Sequence, residues 1–570
     1  MVFHDFESIL THIGAFGRYQ WVLLLANCLM SVYLATVVYG QFFMTLTPPH
    51  WCSAPPDLLA LNLTPHQLKV LTVPRLKGGS DDFHSCARYD VNRTQVMLNA
   101  NHQPDPTWPV TTCTHGWTYN YSLYYPTITS QLDWVCDEDW KPPLAQTLFY
   151  LGSMIGSSLL GWAADRWGRL PLVVFCNLLG AVAGVVSAFS TSFVMFCVLR
   201  FVVGHTYEQL YGIGLILLLE YVGTAYRTVM TNVPMMLFLS LACCLMPWLA
   251  YGLADWTNFA IVIHSIQFLS IFFIWLLPES ARWLLSKGRV QETLAIIKKV
   301  AKVNQKSLSP DVIKEVHEYV EKKALEEAST ASVLDLFKTP VLRRRFLGLC
   351  GMWMSLAITF DFHMRYTKNL GFDVFVSFTL ASFTEMPADL LTMVTTERLG
   401  RRHTAVWSFF ITFLIDFFQV FINGDSKMTS LGMCVAGRFF ITMTMNVMHQ
   451  YTVEVVPTVA RSQAVGLLLS LAALSASLSS YVVYLSKYGH YLPYLIISLV
   501  ALSGMVSSLL LPETLRQDLP DSLHDGETFF TNQSCCYNPC TSRRKEARPD
   551  DQTVRGATGH DNPAFEVTHM

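Results

Sequence analysis

Twelve runs of roughly twenty mostly apolar residues dominate this 570-residue chain, at about 21–41, 143–163, 170–190, 193–216, 229–251, 258–277, 346–366, 374–394, 404–423, 429–449, 463–485 and 490–511. A helix needs about 20 apolar residues to cross a bilayer core. In hydrocarbon the backbone must satisfy its own hydrogen bonds, so such runs become helices. The composition agrees: 52% of residues are hydrophobic and 14% charged, against about 25% charged in soluble domains. A net charge of −2 gives no footprint for a nucleic-acid partner. The first twenty residues carry His4, Asp5, Glu7, His12 and Arg18 and no apolar segment, so no cleavable signal peptide is expected.

Basic residues set the orientation, because they favour the cytoplasmic side. The loop 278–345 holds 14 Lys and Arg against 9 Asp and Glu, a surplus of five. Arg166, Arg169, Arg227, the cluster 398–402 and Arg461 fall on the same side of a twelve-span count. The expected layout has a cytoplasmic N-terminus (1–20) and a first half of six spans (21–277). A cytoplasmic loop (278–345) leads to the second half (346–511) and a cytoplasmic, largely disordered tail (512–570). Segment 42–141 then lies outside, and it carries glycan sequons at Asn62, Asn92 and Asn120. It also holds Cys52, Cys86, Cys113 and Cys136, which imply two disulfides with three pairings open. In the tail, Cys535, Cys536 and Cys540 precede a basic run and are candidates for palmitoylation.

A charged knot, Gly161-Trp-Ala-Ala-Asp-Arg-Trp-Gly-Arg169, exposes an internal repeat. Asp165, Arg166, Gly168 and Arg169 are echoed in the second half of the chain by Glu397, Arg398, Gly400 and Arg401. Glu220 and Arg227 return as Glu454 and Arg461, and Pro278-Glu-Ser returns as Pro512-Glu-Thr with the same displacement along the chain. Two parallel six-span halves are implied, an all-α polytopic architecture of the major facilitator type. Acids and arginines at the cytoplasmic helix ends can pair across helices and bias a two-state opening. Asp165, Arg166, Gly168, Arg169, Glu220, Arg227, Glu397, Arg398, Arg401, Glu454 and Arg461 are therefore the candidate cytoplasmic gate.

The chain resembles solute carrier family 22, the organic cation, anion and zwitterion transporters. The resemblance rests on the long first loop, the knot at 161–169, Pro278–Leu285, Glu397–Arg402 and Tyr451–Thr458 with Arg461. It covers residues 15–515 and implies a plasma-membrane carrier of small organic ions working by alternating access. Where the resemblance leads one to expect an Asp or Arg in span eleven, this chain has the neutral stretch around Ala473. Glu385 matches an acidic residue of the family in span eight.

Charges inside spans are costly and mark cavities or partners. Glu208, Asp361 and Glu385 lie deepest, and all are acidic. With Tyr211, Trp353 and Phe360 they form the candidate substrate site, since aromatic faces attract ammonium groups. The expected cargo is a small organic cation, an amine or quaternary ammonium compound. A zwitterion carrier is the second reading, because Asp361 has Arg365 one turn away. Asp361 and Arg365 also fit a purely structural pair, and Glu385 and Asp389 are four apart, so that one can hold the other protonated. His363 and His449 are read as packing groups before proton sensors, and Asp416 has no assigned role. A transport-inactive receptor on the same fold is the alternative from another class. No enzyme motif, cofactor or metal constellation is present in the sequence, and the coupling ion is left open.

Overall fold

The apolar runs form helices whose ends are marked by glycine, proline and charge. The structure, a computed structural model, describes residues 10, 13–14, 16–59, 63–75, 83–91, 104–105, 107–306, 314, 316–317, 333–422, 426–515, 520 and 523–528. Asn62, Asn92 and the tail cysteines lie outside the described residues. Twelve long helices occur among them: α1 (Arg18–Met44), α2 (Lys141–Trp167), α3 (Arg169–Ser187), α4 (Phe193–Leu219), α5 (Val229–Leu253) and α6 (Trp256–Leu276) in the first half. The second half has α7 (Pro340–Arg365), α8 (Val374–Arg398), α9 (Arg401–Gln419), α10 (Lys427–Val455), α11 (Arg461–Tyr484) and α12 (Tyr491–Leu509).

Ten of the twelve are apolar and long enough to cross a membrane; α2 and α9 fall short on apolarity. The expectation of twelve spans therefore holds in helix number but not on apolarity alone. The physical reason is packing: α2 is wedged between α4 and α11, so its Gln146, Gly152, Ser153, Gly156 and Ser157 are buried against protein. Gly152 and Gly156 lie against the α4 backbone at Phe201 and His205, and Gly204 of α4 lies against the Phe149 carbonyl. Such small residues let helices approach closely where no hydrophobic driving force separates lipid from helix. In α5 the segment Pro234–Leu239 is π-helical, and Pro247 follows in the same helix. Both features interrupt the i→i−4 ladder.

Between α1 and α2 stands a lobe of two small antiparallel sheets. β1 (His50–Cys52) pairs with β4 (Trp117–Tyr119), and β2 (Arg88–Tyr89) with β3 (Val110–Thr111). Two-stranded sheets are marginal alone, and here disulfides Cys52–Cys113 and Cys86–Cys136 staple them. His50 sits with Cys86 and Cys136 at ligand-like spacing, but the disulfide consumes both thiols, so they do not form a metal site. Burial lowers the affinity of the His50 imidazole for its proton below the usual value. Lys69 Nζ lies 3.8 Å from the Trp51 ring centroid, and Asn120 is exposed on the lobe.

On the face opposite the lobe, each half's first helix is held by the segment that follows that half's last helix. Asn304 Oδ1 accepts from the Tyr19 amide at 2.8 Å, and its Nδ2 donates to the Ile13 carbonyl at 2.9 Å. Glu527 accepts from the Val341 and Leu342 amides at 3.1 and 3.0 Å, capping α7. Despite an opposing effect of burial, those two amides hold the Glu527 carboxyl below its usual range. Helix Val290–Val303 of the inter-half loop buries Leu294, Ile297 and Val300.

Non-reducing peptide mapping should recover Cys52 with Cys113 and Cys86 with Cys136. Cys86→Ser should destabilise the lobe by about 2–5 kcal/mol, read as lower surface abundance of the full chain.

Candidate functional site

The repeated motifs assemble into two matching clusters, one in each half, on the face opposite the lobe. Gly168 and Gly400 make the turns α2–α3 and α8–α9 with φ of 107° and 92°, a region open to glycine at little cost. A Cβ at either position would overlap the carboxylate of Glu279 or Glu513. Those carboxylates accept hydrogen bonds from the first free amides of the next helix. Glu279 Oε1 takes Arg169 N at 2.9 Å, while Glu513 takes Arg401 N at 2.9 Å and Arg402 N at 3.1 Å. A negative charge there complements the positive end of the helix dipole.

The remaining members close around the same point. Arg169 pairs with Glu220, and Ser280 donates to the other Glu220 oxygen. Arg401 pairs with Glu454 at 3.1 Å, and Thr514 donates to Glu454 at 2.5 Å. Tyr221 and Tyr451 donate to the Glu279 and Pro512 carbonyls. Each of these pairs joins helices of one half. Asp165, Arg166, Glu397 and Arg398 are exposed at the rim, and Arg227 and Arg461 are half-buried beside the clusters. The Arg169–Glu220 and Arg401–Glu454 pairs thus clamp each half internally.

A series of contacts joins the two halves toward the lobe. Asp361 on α7 accepts from Tyr150 of α2 at 2.7 Å, from Ser479 of α11, and from Arg365 Nε at 2.6 Å. Closer to the lobe, Asp139 pairs with Lys487 at 2.5 Å and accepts from Tyr484 at 2.8 Å. Phe42 and Phe43 of α1 pack against Phe378 of α8 with ring centroids 5.3 and 4.9 Å apart. Toward the middle, Ser157 and Ser470 approach to 3.0 Å. This seam draws the lobe side together.

Halfway through the bundle, Glu385 is paired with Arg438 at 2.5 Å. Arg438 also donates to Tyr39 of α1 at 3.1 Å and to the Phe360 carbonyl at 2.7 Å, with its guanidinium 3.6 Å from the Phe360 ring centroid. Asp389 accepts from Asn446. Trp353 is buried and donates to Thr452 at 2.9 Å, and Tyr211 is buried in the first-half core.

The six candidate substrate residues therefore separate. Asp361 and Glu385 carry their own cations, Arg438 covers the Phe360 face, and Trp353 and Tyr211 pack. Glu208 differs: it is half-buried in α4, with no hydrogen-bond or ion-pair partner among the described residues. It stands one turn from Gly204, which packs on α2, and one turn from Gly212, whose Cβ would meet nothing within 4 Å. An unpaired carboxylate within a span bordering open space can receive a cation.

Starting from the acids within spans passes over Arg438 and Arg200. Each lies inside the fourth helix of its half, and a search for basic residues in equivalent spans would have found both. Arg200 is fully buried, donates to Gln41 at 2.9 Å and lies 5.7 Å from the Phe149 ring centroid. Tyr150 and Tyr39 carried no sequence signal, because an isolated tyrosine in an apolar run is ordinary.

The chain matches the family model described as sugar (and other) transporter over residues 138–521. It is 29% identical over 530 residues to the organic cation transporter protein of Drosophila melanogaster, covering 92% of this chain and 95% of that one. It is 28% identical to organic cation/carnitine transporter 2 of Homo sapiens, covering 91% and 93%, and 29% identical to human solute carrier family 22 member 13, covering 92% and 93%. In fold it is similar to the major facilitator proton:xylose symporter XylE, with a TM-score of 0.55 at 13% identity over 91% of this chain and 99% of that one.

Gly400→Ala should cost about 1–3 kcal/mol, because it adds backbone strain to an overlap with the Glu513 carboxylate. Gly432→Ala, whose Cβ meets nothing within 4 Å, is the control. Thermal melting of the purified full chain compares the two.

Proposed function

The chain belongs to the sugar (and other) transporter family, with solute carrier family 22 members among its relatives, and from that premise we propose that it carries small organic cations across the plasma membrane. The observation that supports this is Glu208, a half-buried carboxylate without a partner among the described residues. An amine or quaternary ammonium group replaces lost water there with a full opposite charge, and an inside-negative potential favours entry by about 2.3 kcal/mol per 100 mV. Tyr207, next to Glu208 and 5.5 Å from the Phe149 ring centroid, adds aromatic surface of the kind that attracts ammonium groups.

The lobe side is the extracellular side in this reading, with both termini cytoplasmic and a glycan on exposed Asn120. The seam of Asp139, Tyr150, Asp361, Ser479 and Lys487 is the outer gate. Asp361 holds that gate rather than cargo, because Arg365, Tyr150 and Ser479 already occupy its oxygens. The paired clusters at Arg169–Glu220 and Arg401–Glu454 keep each half rigid at its cytoplasmic end while one half rocks against the other. The chain performs no covalent chemistry, and transport needs no resident cofactor.

A zwitterion reading rests on a different observation. Arg438 Nε has no partner among the described residues, so Glu385 and Arg438 together present both charges beside Tyr39. Uptake of labelled cations, anions and zwitterions by cells expressing the chain, against empty vector, separates the readings. Cation preference is expected. Glu208→Gln should lower kcat/KM for the preferred cation at least tenfold, about 1.4 kcal/mol of transition-state binding; unchanged kinetics would remove Glu208 from the site. The double variant Asp139→Cys, Lys487→Cys should form a bond across the outer gate and stop uptake until mild reduction restores it.

A further inference from the structure

A charge pair between α7 and α9 takes no part in the path just described. His363 is 0% and Asp416 1% exposed. The His363 Nδ1 atom lies 2.8 Å from the Thr359 carbonyl, which only accepts, so Nδ1 carries a hydrogen. Nε2 faces Asp416 Oδ1 at 3.0 Å. That approach requires one proton between them, as imidazolium with carboxylate or as imidazole with carboxylic acid. Either way the dyad holds one exchangeable proton and is neutral.

Losing that proton would leave a buried negative charge. Asp416 Oδ2 has no partner among the described residues, so no second donor is in place to stabilise the charge, and a bare buried carboxylate is expensive. The structure must therefore shift when the proton leaves. The titratable and charged groups around the dyad are Tyr366, which follows α7, Cys434 and Arg438 from α10, and Tyr494 from α12. Among these described groups the one cation is Arg438, and it is already paired with Glu385. Gly437, beside Arg438, lies so close that a Cβ would overlap the His363 ring. A deprotonated dyad thus competes for Arg438, which holds α10 to Glu385 of α8 and to Tyr39 of the first half.

We infer that His363 and Asp416 form a proton-binding site that couples proton movement to organic-cation transport. The proton leaves the position shared by Nε2 and Oδ1 for water, as hydronium, and the dyad passes from neutral to −1. It returns from water in the opposite orientation of the carrier. The inference rests on the transport reading above, and the test separates the two.

The full chain is reconstituted in liposomes containing pyranine, with the potential clamped by potassium and valinomycin, and given labelled tetraethylammonium. In one of its two directions, a gradient of one pH unit should raise accumulation up to tenfold. Adding tetraethylammonium without a gradient should shift pyranine fluorescence. In Asp416→Asn and His363→Gln, whatever uptake remains should ignore the gradient and leave pyranine unchanged. Tracer uptake by the unaltered chain with neither response overturns proton coupling, and needs no variant to do so. Variants that keep both responses overturn the assignment to this dyad. Absence of tracer uptake in the unaltered chain overturns the transport reading, and the inference with it.

Discussion

A glutamate carboxylate seated on the exposed amides of a neighbouring helix is the interaction on which both halves depend. Glu279 does this for α3 and Glu513 for α9. The same contact accounts for the spacing of the whole motif. The turn before each helix must be glycine, because a side chain would occupy the carboxylate's place. The arginine that begins each helix then reaches the glutamate at the end of the fourth helix, and a serine or threonine closes the remaining oxygen. Four elements are thereby clamped at one point, and a half can move as a body.

The cost of charge in a low-dielectric interior organises the rest. Of the deep acids, Asp361 and Glu385 have arginine partners and Asp416 has a histidine. Such pairs contribute little net stability against apolar replacements but lose heavily when one partner is removed. They therefore act as registers, fixing which helices meet and in which carrier state. Asp361 joins α2, α7 and α11 in this way, across the boundary between halves. Glu208 stands apart from that economy, which is why it carries the substrate argument.

Much of the architecture was legible in the residues. Apolar runs located the twelve helices to within about six residues at each end, the largest differences being the start of α7 at Pro340, against the expected 346, and the end of α10 at Val455, against the expected 449. The near-constant displacement between the repeated motifs revealed the two halves, and the two disulfides of the first loop were expected from its four cysteines. The apolar pattern overstated the lipid exposure of α2 and α9, since hydropathy does not distinguish a helix buried among helices from a more polar one. The substrate site was less legible. The pairing of Asp361 with Arg365, one turn away, was legible in the sequence, whereas Arg438 lies on α10, two helices beyond the α8 that carries Glu385.

The sequence by itself determined that this chain is a membrane bundle of two related halves, because helix length and motif spacing are local properties of the chain. It also determined which residues could bear charge within the bilayer. Only the tertiary structure decided which of those charges were neutralised and by whom, which cysteines joined, and that the repeated clusters bind within halves instead of between them. Partners drawn from helices far apart in the chain, such as Glu385 with Arg438 and Tyr150 with Asp361, are selected by helix packing, and no one-dimensional spacing records that choice.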